Sequence, residues 1–166
     1  MRARAQLLAC ERRPTAEYAS LSLLAVLIEA NCRLHGGEGT WAPMAEACLG
    51  YSAVSAMLDS YLDPVAFAAI PRMPIDFRAH AMEAKIRSGV AGTVTEIDAN
   101  ALKAIRSLKS YRSEMVGAAV GKRIEKTIDL LTSYGNVNLV NESLVELEKD
   151  YTTFHEIVGR GIFKVE

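Results

Sequence analysis

Long apolar runs are missing from this 166-residue chain. The longest candidate, Leu21 to Ile28, is interrupted by Ser22 and followed by Glu29, Asn31 and Arg33. A bilayer-spanning helix needs about 20 apolar residues, so no membrane span is expected. A charge excess of one sign is also missing: 19 Lys and Arg against 20 Asp and Glu leave a net charge of −1. Dedicated nucleic-acid binders usually carry a positive balance, so the near-neutral total weighs against that class. Cysteine is scarce. Cys10, Cys32 and Cys48 are odd in number and widely spaced, which gives neither a CxxC pair nor a disulfide framework. Free thiols fit an intracellular, reducing compartment. There is no internal repeat and no low-complexity segment.

What the chain has is apolar content. Half of its residues are hydrophobic and 23% are charged, which excludes wholesale disorder and allows one domain with a buried core. Residues 1–13 hold Arg2, Arg4, Arg12 and Arg13 against Glu11. An organelle-targeting presequence has such a basic bias. Glu11 and the absence of Ser and Thr favour instead an ordinary solvated arm over residues 1–14.

The apolar period reads as helical nearly throughout. Thr15 is an expected N-cap, with the stripe Tyr18, Leu21, Ala25, Ile28 and Cys32 behind it. Trp41 and Pro43 open a short helix that Gly50 interrupts. Val54, Met57, Leu58, Tyr61 and Leu62 define one apolar face, and Asp63-Pro64 reads as an N-cap followed by Pro at N1. Pro64, Pro71 and Pro74 mark residues 63–74 as the least regular stretch. Ile75, Ala79, Met82 and Ile86 form the next stripe. Thr93 to Glu96 spells a capping box ahead of Ile97, Ala101, Ile105, Leu108 and Met115. Residues 95–134 then read as one long helix or two. Asn141 is the expected cap of a last helix with the seam Leu144, Leu147, Tyr151, Phe154 and Val158. Val137 and Leu139 alternate once, too little for a sheet. The tail over 159–166 carries Ile162 and Phe163 and looks extended. The expected fold is all-α: a single domain over 1–166, an irregular bundle of five or six helices around one long basic helix.

Four constellations bear on chemistry. On a helix, Asp76, His80, Glu83 and Arg87 would share one face, where Asp76, His80 and Glu83 could ligate a metal or move protons. The plainer reading is a solvated face with ion pairs four residues apart. Gly117 to Arg123 resembles a phosphate loop only loosely: three residues separate its glycines where four are needed, and Arg123 replaces the hydroxyl. His35, His80 and His155 sit in no nucleophile signature. The fourth feature is charge segregation. Residues 1–13 carry +3, residues 14–63 carry −5, residues 64–126 carry +5 and residues 127–166 carry −4. The densest basic set is Lys103, Arg106, Lys109, Arg112, Lys122, Arg123 and Lys126, with Ser107, Ser110 and Ser113 among them. Hydroxyls between bases suit phosphate contacts. Bases spaced by three spiral around a helix instead of forming a ridge, and Tyr111 is the one aromatic among them.

The expected function is therefore non-enzymatic and needs no cofactor. It is a self-associating structural or assembly subunit, a homo-oligomer or part of a larger complex or particle. The seam Leu144, Leu147, Tyr151, Phe154 and Val158, with Ile162 and Phe163, would form the interface, and the opposite charge blocks would set register. A nucleic-acid-binding helical protein (nucleoprotein, coat or regulator) using the basic set is the second reading. A metal-dependent enzyme on Asp76, His80 and Glu83 is the third.

Overall fold

A computed structural model describes Leu34, residues 39–73 and residues 76–166. The expected helix behind Thr15, the basic arm, His35, Cys10 and Cys32 lie outside the described residues. Residues His35–Glu166 form one unit. Of the other, Met1–Leu34, only Leu34 is described.

Among the described residues three helices come first: α1 (Trp41–Leu49), α2 (Ala53–Leu62) and α3 (Pro64–Ala69). Their ends follow local chemistry. Gly50 closes α1 in the left-handed region at φ 82°. Ser52 caps α2, its hydroxyl accepting from Ser55 N–H while the Ser55 hydroxyl accepts from Ser52 N–H. Asp63 caps α3 through Ala66 N–H, with Pro64 at the position that needs no donor.

The remainder is mixed. It runs β1 (His80–Lys85), β2 (Gly92–Ile97), α4 (Ala99–Arg106), β3 (Tyr111–Val116), β4 (Arg123–Ile124), β5 (Gly135–Asn141), α5 (Leu144–Gly159) and β6 (Phe163–Val165). The strands make two antiparallel sheets of three, in the orders β1-β5-β3 and β4-β2-β6. This overturns the all-α bundle and its long basic helix. Residues 95–134 form neither one helix nor two, since β3 and β4 lie within them. The reason lies in the period. Met82, Ala84 and Ile86 alternate with Glu83, Lys85 and Arg87, and two-residue alternation belongs to a pleated strand. The same apolar residues fall three and four apart with their neighbours, which imitates a helix. The Thr93–Glu96 capping box lies in β2. Ser143, not Asn141, caps α5, while Asn141 Oδ1 accepts from Ser143 N–H.

The core gathers Ala84 and Ile86 from the β1 side, Val137 and Leu139 from β5, Ile105 from α4 and Leu147, Phe154 and Val158 from α5. Val94, Ile124 and Phe163 join it from the second sheet. The Phe163 ring meets Tyr134 edge to face at 5.8 Å. α5 lies along β1 and β5 and also touches α4. Burying a side chain such as Phe154 or Leu147 contributes about 1.5–3 kcal/mol each. By contrast, the clean apolar face of α2 stays outside: Leu58, Tyr61 and Leu62 are 50%, 74% and 79% exposed.

Several polar residues are as deep as the core, and Ser110 is the deepest of them. Ser110, fully buried, sits on the turn between α4 and β3. Its N–H donates to Asp150 Oδ2 at 2.7 Å, its carbonyl accepts from Val140 N–H at 2.7 Å, and its hydroxyl accepts from Asn141 Nδ2 at 3.0 Å. One residue thus joins the turn to β5 and to α5. Gly135 supplies a second close approach. At φ 122° it brings β5 so near β3 that a Cβ there would collide with the Met115 carbonyl oxygen. Among the described residues, no helix is long and apolar enough to cross a membrane.

Asp150→Ala should destabilise the fold by about 1–3 kcal/mol, because it strands the buried Ser110 N–H. Asp150→Asn keeps an acceptor and should cost less. Urea unfolding of the two variants checks the order.

Candidate functional site

The sequence-expected site residues do not come together. Asp76, His80, Glu83 and Arg87 share no face, because residues 80–85 are strand and positions three apart point to opposite sides. Glu83 is a structural tie. Burial alone would raise its carboxyl, but Lys85, the Trp41 indole and Asn136 together hold it below the usual carboxylate value. Trp41 Nε1 donates to Glu83 Oε2 at 2.5 Å and Thr40 Oγ1 at 3.2 Å, which fastens the start of α1 to β1. Arg87 instead reaches α5, where its Nη2 lies 3.1 Å from His155 Nδ1. The His155 ring packs edge to face on Tyr151 and Phe154. Among the described residues, no group of three His, Cys, Asp or Glu could hold a metal ion.

The basic set is dispersed. Lys103 and Arg106 are on α4, Lys109 on the following turn, Arg112 on β3, and Lys122, Arg123 and Lys126 on or beside β4. Arg106 pairs with Glu114, Lys109 with Glu146 and Arg123 with Glu125. Gly117 to Arg123 is a turn that joins β2 through Gly121 N–H to Val94 O and Val94 N–H to Lys122 O. In the apolar seam, Leu147, Phe154, Val158, Ile162 and Phe163 are buried in the unit's own core, Tyr151 is half-buried, and Leu144 is exposed.

The feature with the shape of a site is one the sequence reading did not single out. A cleft of about 370 Å³ opens between the end of α1, the helices α2 and α3, and the segment leading to β1. Leu49, Gly50, Tyr51, Ala66, Ala69, Ile70 and Pro71 line it, and Asp59, Asp76 and Arg78 bring charge to it. Arg78 N–H donates to the Cys48 carbonyl at 2.8 Å, which anchors the segment to α1. A smaller recess of about 240 Å³ lies between α4 and the end of α5, but Asp98 there is committed to capping α4 through Asn100 and Ala101 N–H. The signal for the cleft was faint: three charges of mixed sign spread over 20 residues, brought together only by tertiary structure.

No family model matches the chain, and no curated protein matches it in sequence. In structure it is similar to an L-amino acid ligase from Bacillus licheniformis, with a TM-score of 0.59 at 17% identity. The likeness is one of fold. It covers 79% of this chain and 30% of the ligase chain, so the chain spans less than a third of the protein it matches. The finding overturns the expected function with the fold it rested on. A helical structural or assembly subunit was inferred from a bundle that does not exist, and the chain shares its α/β architecture with part of a ligase.

Burial, and secondarily the Arg87 guanidinium, hold the His155 imidazole below its ordinary value of 6.5. The neutral ring is therefore favoured in the fold, and the unfolded chain takes up more protons as pH falls below that value. This contribution to stability is full above 6.5 and declines on acidification. Arg87→Met should raise the His155 titration midpoint, read by NMR of the ring protons.

Proposed function

We propose that the α/β unit is a non-catalytic module of a ligase-type enzyme. It lends a binding and packing surface, while bond formation belongs to a larger body. The observation that carries this reading is the fold likeness, which takes in most of this chain and under a third of the ligase. The chemistry of the described residues supports it. Burial pushes the Cys48 thiol up, which disfavours the nucleophilic thiolate. His155 is engaged with Arg87 and two aromatic rings, and Glu83 is engaged with four donors. The apolar face of α2 offers area for packing against another body.

Incubation of the purified chain with magnesium, ATP and a mixture of L-amino acids tests this. Phosphate release should not depend on the amino acids. Amino-acid-dependent turnover by the chain alone would show that the unit is itself an enzyme.

A further inference from the structure

We infer that the cleft between α1, α2, α3 and residues 76–78 binds a small zwitterion, a molecule with an ammonium and a carboxylate on a short apolar body. The cleft's own charges support this apart from the module reading. Asp59, Asp76 and Arg78 all line it, and none of the three side chains has a hydrogen-bond or ion-pair partner among the described residues. They line one cleft, and Arg78 forms no ion pair within 4.0 Å with either carboxylate.

Arg78 is set for a carboxylate. A Cβ on Gly50 would lie 2.5 Å from Cζ, 2.5 Å from Nη2 and 2.6 Å from Nη1. The guanidinium therefore packs against the bare Cα of Gly50, in the space that any larger residue there would fill. A guanidinium takes a carboxylate through two parallel hydrogen bonds, and the Arg78 side chain has no other polar partner among the described residues. Glycine at position 50 thus serves twice, closing α1 at positive φ and making space for the arginine. Asp59 and Asp76 supply acceptors for an ammonium, and Tyr51 adds a hydroxyl. Leu49, Ala66, Ala69, Ile70 and Pro71 furnish the apolar wall.

The balance of signs selects the ligand class. The three groups together carry −1. A plain anion that reaches Arg78 also meets two carboxylates. A plain cation satisfies the carboxylates and leaves the guanidinium unanswered. A ligand bearing both signs answers all three. The volume sits at the lower end of the roughly 300–1,000 Å³ typical of small-molecule sites, which suits something the size of one or two amino acids.

Calorimetric titration of the whole chain with three probes tests the assignment: L-leucine, leucinamide, which lacks the carboxylate, and 4-methylpentanoate, which lacks the ammonium. Leucine should bind saturably, and each half-ligand should bind at least about tenfold more weakly, since each loses a charge-assisted contact. Arg78→Gln, and separately Asp59→Asn with Asp76→Asn, should weaken leucine by a similar factor. These side chains lie at the surface or half-buried, so the melting temperature should stay unchanged, which separates lost binding from lost folding. No saturable binding of leucine would overturn the assignment. So would a half-ligand that binds as well as leucine, or undiminished affinity in Arg78→Gln. Turnover and titration read different events, so the module reading and this one can fail separately.

Discussion

The structure turns on satisfying one buried serine. Ser110 lies where a helix must hand over to a strand, and it is itself fully buried, so its polar groups have no water to fall back on. A buried peptide group without a partner costs a few kcal/mol, a large part of a domain's net stability. Asp150, the Val140 amide and Asn141 each meet one of its groups. Because these partners come from α5 and β5, the hydrogen bonds fix the rotation of α5 about its own axis and its depth against the sheet. Leu147, Phe154 and Val158 face the core in that setting. Apolar burial supplies most of the favourable free energy, but it is not directional, and the serine decides which packing arrangement is realised.

The sequence reveals the helices better than the strands, for a physical reason. Helix ends are governed by local chemistry, so Gly50, Asp63 and Pro64 announce the boundaries of α1 and α3, and α5 carries a long seam. Strands in this protein are short and lack strong local marks. β1 is His-Ala-Met-Glu-Ala-Lys, poor in the β-branched residues that favour a pleated surface. Its alternation through Ile86 and Arg87 is complete, yet it coincides with a spacing of three and four that a helix also satisfies. β5 alternates Asn136, Val137, Asn138 and Leu139. Its asparagines look like loop residues, whereas they occupy a central strand with both faces buried.

The cleft was less legible still. Asp59 belongs to α2, and Asp76 and Arg78 to an irregular lead-in, so no spacing rule connects them. A helical period puts Asp76 and Glu83 on one face. The strand turns Glu83 toward Trp41 and leaves Asp76 with different neighbours. Charge counted in blocks proved equally blind. Several of the bases in residues 64–126 are paired with acids drawn from both their own block and the next, as Arg106–Glu114 and Lys109–Glu146 show. Exposed pairs of this kind add little stability.

Strand order has a consequence for how the protein is made. β1 pairs with β5, and β2 gains its partner β6 only at residues 163–165. At synthesis rates of about 5–20 residues per second, β2 waits several seconds between its own emergence and that of its partner. During that interval the edge of β2 that β6 will cover lies open, even once residues 121–124 have paired along its other side, and pairing between distant segments is intrinsically slow. The nascent chain thus passes through a stage in which the helices near α1 can form while both sheets remain incomplete. Slowing or pausing translation beyond residue 97 would lengthen the time in which unpaired strand edges can meet those of other chains.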